Sequence, residues 1–325
     1  MPAPSSSLST LRPDLQQSFT EFDLAMNMQG FIGQKICPVL DVGRASGNFG
    51  RIPIEQLLQN PDVTRAPGSG YARGKFTFKP DTYVTTEFGF EEPVDDVESE
   101  MYADYFDAEQ VSALRSHHAV LLGYERRVVA LMTDTAVWTG ASLTLGVSVP
   151  WDTIATAAPL TDIETAVQAV YANSGLWPNA ISLSRIDFRN LRNCAQVIDR
   201  VKYSGFMDTR AGNITAQAIA QCLDLEEVIV AGSSYNSAND GQAASLGSVW
   251  PKGTAMVAHI DRSNDVRRPT VARTFHWSQD GSTINGTVET YRDETRRSDI
   301  VRTRHQTGEK VMYKQAGFTL TGLHT

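Results

Sequence analysis

Gly70-Tyr-Ala-Arg-Gly74-Lys75 is the stretch of this chain closest to a phosphate-binding loop. Such a loop needs G-x-x-x-x-G-K-[ST] between a strand and a helix, so that backbone N–H groups cradle the phosphates and the hydroxyl holds magnesium. Here the glycines stand one residue too close, Phe76 replaces the hydroxyl, and a strand-like pattern follows. A loop tip is expected, not a nucleotide site. His117 and His118 are adjacent, so on a helix they point to different faces, whereas a helical metal pair needs i, i+4 spacing. His259, His276, His305 and His324 have no Cys, Asp or Glu around them at a recurring ligand spacing. Serine nucleophile patterns GxSxG and SxxK are absent, and Ser233-Ser234 is followed by loop-forming Tyr235-Asn-Ser-Ala-Asn-Asp-Gly where a nucleophile elbow needs a helix. Glu91, Glu92, Asp95, Asp96, Glu98 and Glu100 resemble an acid/base cluster, yet with no paired base they read as the solvated start of a helix. No catalytic, cofactor-binding or metal-ligating residue is assigned, and no cofactor is expected.

The bulk composition agrees with a protein that works through its surfaces. Of 325 residues, 41% are hydrophobic and 20% charged, which is enough apolar material for two or three modules and excludes a largely disordered chain. With 37 acidic against 29 basic residues the formal charge is −8 and no long run of one sign occurs, so tight nucleic-acid binding is not expected. Cys37, Cys194 and Cys222 are odd in number, far apart and without a CxxC pair, which points to reduced thiols, not to a disulfide framework or a zinc site. Met1-Pro-Ala-Pro-Ser-Ser-Ser has neither a basic n-region nor an apolar h-region, and no run of 18 apolar residues follows, so neither export nor membrane spanning is expected.

The elements that would position these residues fall into a definite order. Residues 1–44 begin polar and Pro/Ser-rich and then carry Phe19, Phe22, Leu24, Met26 and Met28, too few for a core, which reads as an arm. Residues 45–92 alternate around many glycines, with strands expected at Phe49–Ile54 and Lys75–Phe90 and a tip between Pro61 and Gly74. Two arms of ~15–20 residues at ~3.3 Å each give a hairpin of ~50–60 Å. That exceeds the ~20 Å radius of gyration of a compact chain this long, so the ribbon should project. Since an isolated two-stranded hairpin is marginal in water, it needs an external surface to lie on. From Val97 to about Trp138 the apolar period becomes helical, predicting one amphipathic helix of about 40 residues, ~60 Å long, with Gly123 as a place to bend. Residues 140–158 form a Gly/Ser/Thr/Pro-rich boundary. Beyond it, Thr161-Asp-Ile-Glu164 reads as a capping box, Ala180–Leu183 as a strand, Arg185–Asn193 and Thr215–Leu223 as helices, and Val228–Val230 as a strand. Gly232–Gly247 reads as a polar loop, Val249–Ile260 as a strand and Ser282–Val288 as a hairpin turning at Asn285-Gly286. The closing strands are Asp299–Arg304 and Val311–Leu320.

This order resembles that of tailed-phage major capsid proteins with the Hong Kong 97-type fold. Local wording agrees: Ile219-Ala-Gln-Cys-Leu-Asp-Leu-Glu-Glu-Val-Ile-Val230, Tyr235-Asn, Val249-Trp-Pro-Lys-Gly253, Thr274-Phe-His-Trp277 and Val288-Glu-Thr-Tyr-Arg-Asp-Glu-Thr-Arg-Arg-Ser-Asp-Ile-Val301 look like segments of that family. The resemblance covers nearly the whole chain from about residue 20. It implies an α+β fold with an N-terminal arm at 1–44, an extended hairpin loop at 45–92 lying across a neighbouring subunit, and a peripheral domain with a spine helix at 93–158. An axial α/β domain follows at 159–285, and strands return to the peripheral domain at 286–325. It further implies a non-enzymatic subunit that self-assembles into hexamers and pentamers of an icosahedral head. Portal and scaffolding proteins, and in some heads a decoration protein, would be its partners, with DNA packaged without sequence-specific binding and no membrane contact. Assembly would take place in the host cytoplasm and the product would be the virion. Nothing resembles a helical scaffolding domain ahead of the arm, so a scaffold is expected to be a separate protein. Some relatives crosslink a loop lysine to a neighbour's asparagine; Lys75 and Lys79 lie in that region, with no acceptor or activating carboxylate recognisable. Two other readings stay open at this point: an encapsulin-like compartment shell holding cargo enzymes, and a cytosolic hydrolase with an unrecognised site.

Overall fold

The computed structural model describes residues 23–75, 77–102, 107–203, 214–239 and 241–325. The N-terminal reading for residues 1–22 lies outside them. The described chain opens with two short helices, α1 (Leu24–Gln29) and α2 (Gly33–Ile36), then β1 (Val39–Val42), β2 (Ser46–Arg51), the single turn α3 (Ile54–Leu57), β3 (Lys79–Val84) and β4 (Thr86–Asp95). Helices α4 (Asp96–Tyr102) and α5 (Ala108–Met132) follow, and then β5 (Thr144–Gly146), α6 (Pro159–Ser174) and β6 (Ala180–Ser184). Next come α7 (Arg185–Asn193), α8 (Ala195–Tyr203), α9 (Ala216–Cys222), β7 (Glu227–Ala231), β8 (Ser234–Asn236) and β9 (Leu246–Ser248). The chain closes with β10 (Thr254–Ala258), β11 (Ala272–Trp277), β12 (Thr287–Asp293), β13 (Ser298–Val311) and β14 (Gly317–Thr321).

Two five-stranded sheets organise the molecule. In the first, the 14-residue β13 has β4 antiparallel along one edge, while β12 and then β11 share the other, and β1 adds parallel to β11. Helix α5 lies against β13 and β4. The second sheet runs β5-β14-β10-β6-β7; β6 and β7 are parallel because α7, α8 and α9 cross between them. Its core is apolar, with Trp151, Ile163, Val170, Ile181, Leu191 and Phe318 among the buried side chains. A second apolar cluster joins Ile32 and Ile36 of the N-terminal segment to Tyr124, Val128 and Met132 of α5 and to Trp250 and Val271.

The single long helix expected from the periodicity is not continuous. Asp107 sits in an extended conformation (φ −80°, ψ 107°) and its carboxylate accepts hydrogen bonds from the Glu109 and Gln110 amides, so α5 starts afresh there and ends at Met132, not near Trp138. At 25 residues it is ~37 Å long, and it runs through Gly123 without a break. The capping box at Thr161 is also corrected: α6 begins at Pro159, whose missing N–H costs nothing in the first turn, and Thr161 lies inside the helix. Asn285-Gly286 does turn the chain, with Gly286 at φ +89°, but the flanking strands β11 and β12 both pair with β13 and not with each other. The expected strand Val249–Ile260 narrows to β10, and the loop Gly232–Gly247 contains the β8/β9 ladder.

The expected hairpin of 45–92 is much shorter in its paired part. β2 and β3 are in register over six residues each, Ser46 with Val84 through Arg51 with Lys79, and among the described residues the segment between them contributes only the turn α3. The expected strand Lys75–Phe90 divides at Thr85, whose amide and hydroxyl both donate to the Ala45 carbonyl at 2.8 and 2.9 Å. β3 belongs to the loop and β4 to the large sheet. At this junction β13 passes so close that a Cβ on Gly308 would lie 2.1 Å from the Val84 carbonyl oxygen, so only glycine fits there.

Candidate functional site

Among the described residues, none of the groups with chemical potential converges on a reactive centre. His117 bonds the Asn285 carbonyl at 2.5 Å and His118 the Asn27 amide at 2.9 Å, so the pair ties α5 to two separate segments. Burial beside His117 pushes the His118 imidazole below its usual range. His259 contacts the Trp177 carbonyl, His276 the Asp41 carboxylate at 2.8 Å, and His324 approaches Asp152 at 3.6 Å. Among the described residues no group of three or more His, Cys, Asp or Glu is placed to hold a metal ion. Ser233 is buried and its hydroxyl has no hydrogen-bond partner; Ser234 starts β8, and no helix follows to form a nucleophile elbow. Cys37 is fully buried, which drives its thiol far above the range of a nucleophile; burial likewise pushes Cys194 up to about 11. Gly70 to Lys75 lies in an exposed, irregular stretch that leads into β3 with no helix.

Glu91, Glu92 and Asp96 prove to be parts of an ion-pair ladder, while Glu98 and Glu100 stand exposed on α4, as the reading of a solvated helix start has them. Glu91 and Glu92 lie on β4 and Asp96 opens α4, and arginines of β13, α5 and β12 reach them in that order, while Asp95 accepts from the Val97 amide. Arg302 contacts Glu91 at 3.6 Å and Glu289 at 2.6 Å, and Arg304 bridges Glu289 at 2.8 Å and Asp280 at 2.8 Å. Arg292 engages both oxygens of Asp96 at 2.5 and 2.7 Å, and Arg115 lies 3.4 Å from Glu92. Arg304 and then Arg302 hold the Glu289 carboxyl down to about 2. A carboxylate so committed to guanidinium donors is too weak a base for proton transfer near neutrality. The ladder locks the rim of the sheet, each exposed pair contributing little by itself. Sequence reasoning missed it because the partners are ~200 residues apart and become neighbours only through β4–β13 pairing.

Under this sheet, α5 meets β13 through polar groups. Thr303, His305 and Thr307 are all buried on the face toward the helix. The Thr303 and Ser116 hydroxyls are 2.9 Å apart, and Arg127 reaches Thr307 Oγ1 at 3.0 Å, His305 Nε2 at 3.2 Å and Glu309 at 3.2 Å. The Arg127 guanidinium also lies 3.5 Å from the Phe88 ring centroid. Burial lowers the His305 imidazole to about 4, so it is neutral near pH 7.

The N-terminal segment is clamped by one buried carboxylate. Glu125 of α5, 1% exposed, accepts from the Ile32 amide at 2.7 Å, the Gly33 amide at 2.8 Å and the Trp250 indole N–H at 2.6 Å. Burial raises its carboxyl above the usual range, against the three bonds that favour the charged form. Nearby, Asn27 exchanges two 2.9 Å bonds with the backbone of Ser234.

Two surfaces remain open. The first is the segment 52–78. Its root is well built: Arg51 lies 3.2 Å from Asp81, Lys310 also contacts Asp81, and the Tyr83 ring stacks on Phe275 at 4.6 Å. Burial acts to raise the Asp81 carboxyl, but the bonds from Lys310 and the Thr82 amide outweigh it and leave it below its usual range. Beyond the root, Leu57, Leu58, Val63, Tyr71 and Phe78 are all more than 60% exposed. Lys75 and Lys79 are exposed, and among the described residues neither has an ion-pair partner. The second surface is a groove of about 870 Å³ between α1, α7 and the end of β7. No helix of the described residues is long and apolar enough to cross a membrane.

Comparisons with known proteins bear on the whole architecture. No protein-family model matches the chain. A major capsid protein of Burkholderia phage BcepMu is 23% identical over 217 residues, a match that takes in 65% of this chain and 66%, just under two thirds, of that relative. Among solved structures, a phage-related protein from Bordetella bronchiseptica RB50 aligns with a TM-score of 0.63 at 20% identity, covering 92% of this chain and 96% of its own. The capsid structure of cyanophage P-SCSP1u aligns with a TM-score of 0.60 at 10% identity, covering 97% and 93%.

Proposed function

We propose that this chain, whose fold is the Hong Kong 97-type fold of tailed-phage capsid proteins, is a major capsid protein: a structural subunit of the phage head. Copies assemble through hexamers and pentamers into an icosahedral shell around double-stranded DNA. The observation that carries this reading is the segment 52–78. It holds five large apolar side chains in water and is joined to its own subunit by a six-residue ladder. A subunit acting alone gains nothing from that exposure, whereas a neighbour's surface would bury it. In this reading 1–44 is the arm, 45–92 the loop laid on a neighbour, and 93–158 the peripheral domain with its spine helix. Residues 159–285 form the axial domain, and 286–325 return to the peripheral sheet. The partners are further copies of the chain, a portal, a scaffolding protein and, where the head has one, a decoration protein, with assembly in the host cytoplasm. The name of the BcepMu relative supports a phage head over a cargo-holding compartment, and the absence of converging reactive groups among the described residues gives a hydrolase reading no support.

Negative-stain microscopy with light scattering on the purified protein tests this directly. Closed shells, rings or capsomer-sized particles are expected, with a co-expressed scaffold where the subunit needs one. A uniform monomer under both conditions would sink the reading.

A further inference from the structure

Among the described residues Arg51, Arg115, Arg127, Arg262, Arg268, Arg292, Arg296, Arg302 and Arg304 stand in ion pairs with the chain's own carboxylates. Three on α7 do not. Arg185, Arg189 and Arg192 follow i, i+4, i+7 spacing and so share one face over ~10 Å of helix, while Asp187 and Leu191 occupy the buried face. Among the described residues none of the three has an ion-pair partner, and the Arg192 Nε is enclosed without a hydrogen bond. All three line the 870 Å³ groove together with the apolar Met26, Phe188 and Val230, against the single carboxylate of Asp23, which already accepts from the Met26 amide. A cationic rim over an apolar floor fits a segment that carries acids and apolar side chains together. A bare phosphodiester would leave Met26 and Phe188 uncovered.

The chain itself displays such a segment. On α4, Val97 and Met101 are 62% and 65% exposed, and Glu98 and Glu100 stand exposed beside them. Unlike Asp96, which Arg292 holds, neither Glu98 nor Glu100 has a partner among the described residues. Resting on the shell-subunit reading, we infer that the α7 groove of one subunit receives helix α4 of a second copy. Arg185, Arg189 and Arg192 pair with Glu98 and Glu100, and Val97 and Met101 seat on Met26, Phe188 and Val230. Two different patches meet, so the contact is heterologous and propagates around a ring. Charge complementarity of this kind fixes register and partner choice.

A charge swap tests it. The triple variant Arg185→Glu, Arg189→Glu, Arg192→Glu should keep the wild-type circular dichroism and melting profile yet lower the yield of shells by roughly tenfold or more. Adding Glu98→Arg and Glu100→Arg should restore assembly, while that pair alone should fail. Should the triple reversal misfold, Arg→Gln at the same three positions replaces it, with Glu98→Gln and Glu100→Gln as the matching arm. Separately, in a Cys222→Ser background that removes the half-exposed thiol, Glu98→Cys with Arg189→Cys should give a ladder of disulfide-linked oligomers from oxidised particles, absent from either single variant, since Cys37 and Cys194 are buried. Unimpaired assembly of the triple variant overturns the contact. So does loss without rescue, which would assign the arginines to another acidic partner such as a scaffold or the packaged DNA. Failure of the wild-type protein to assemble would instead overturn the shell reading, and the contact with it.

Discussion

The segment 52–78 and the sheet β5-β14-β10-β6-β7 both carry large apolar side chains, but put them to opposite use. In the sheet and its helices Ile163, Val170, Ile181, Leu191 and Phe318 are 2% exposed or less, whereas in the loop Leu57, Leu58, Val63, Tyr71 and Phe78 are more than 60% exposed. Removing apolar surface from water stabilises by roughly 25 cal/mol per Å². One region collects that stabilisation within the subunit. The other leaves it uncollected, and under the proposed function the difference separates residues that fold this protein from residues that assemble it.

The strongest way to break the comparison is to delete residues 58–74, joining the loop above its Arg51–Asp81 root. Closed shells should be lost outright while the thermal midpoint of the subunit stays within a few degrees, read by microscopy and by melting of the same preparation. Normal shells would remove the loop from assembly. Next in size, Phe318→Ala should cost about 3–5 kcal/mol in denaturant unfolding, the range for a large aromatic in a closed core. Leu57→Ala should cost under about 0.5 kcal/mol, as for an exposed site; equal costs would erase the distinction.

A third prediction probes the polar seam between α5 and β13. His305 has a folded pKa of about 4, below its unfolded value of 6.5, so the unfolded chain binds the proton more tightly. Its contribution is full above pH 6.5 and is lost as pH falls toward 4, a change on the order of 3 kcal/mol. His305→Gln should flatten that part of the stability–pH curve, and an unchanged slope would show that other groups set it. Of smaller expected size than the His305 effect is Glu125→Gln, with a loss of ~1–3 kcal/mol: the amide nitrogen would face one of the N–H donors that Glu125 now accepts. Chymotrypsin cleavage around Phe31 should quicken at the same time if this clamp holds the N-terminal segment.

Local elements with strong caps or strict periodicity were legible before the structure. Helix α7 falls on the residues expected, because Ser184 caps it through the Asp187 amide and Leu191 anchors its buried face. Thr215 starts α9 in the same way, through the Ala218 amide. Strand β13 was not legible as one strand. Its buried face is Thr303, His305 and Thr307, and no apolar alternation marks a strand whose inward groups are satisfied by hydrogen bonds to Ser116 and Arg127. The hairpin was read as too long for the converse reason: Phe76 to Tyr83 alternates like a strand, but β2 supplies a partner only from Lys79 onward.

By itself, the sequence determined locally capped elements such as α7 and α9, the lack of any motif for nucleotide, metal or nucleophilic chemistry, and an order of parts resembling that of phage capsid subunits. These follow from interactions between residues a few positions apart, which spacing records. The tertiary structure alone decided that Glu91 and Asp96 meet Arg302 and Arg292, that Glu125 clamps Ile32 and Gly33, and that among the described residues three arginines of α7 have no carboxylate partner. Those pairings depend on strand register and on which helix lies over which sheet, and a Coulomb or hydrogen-bond partner ~100 or ~200 residues away leaves no periodic trace in the chain.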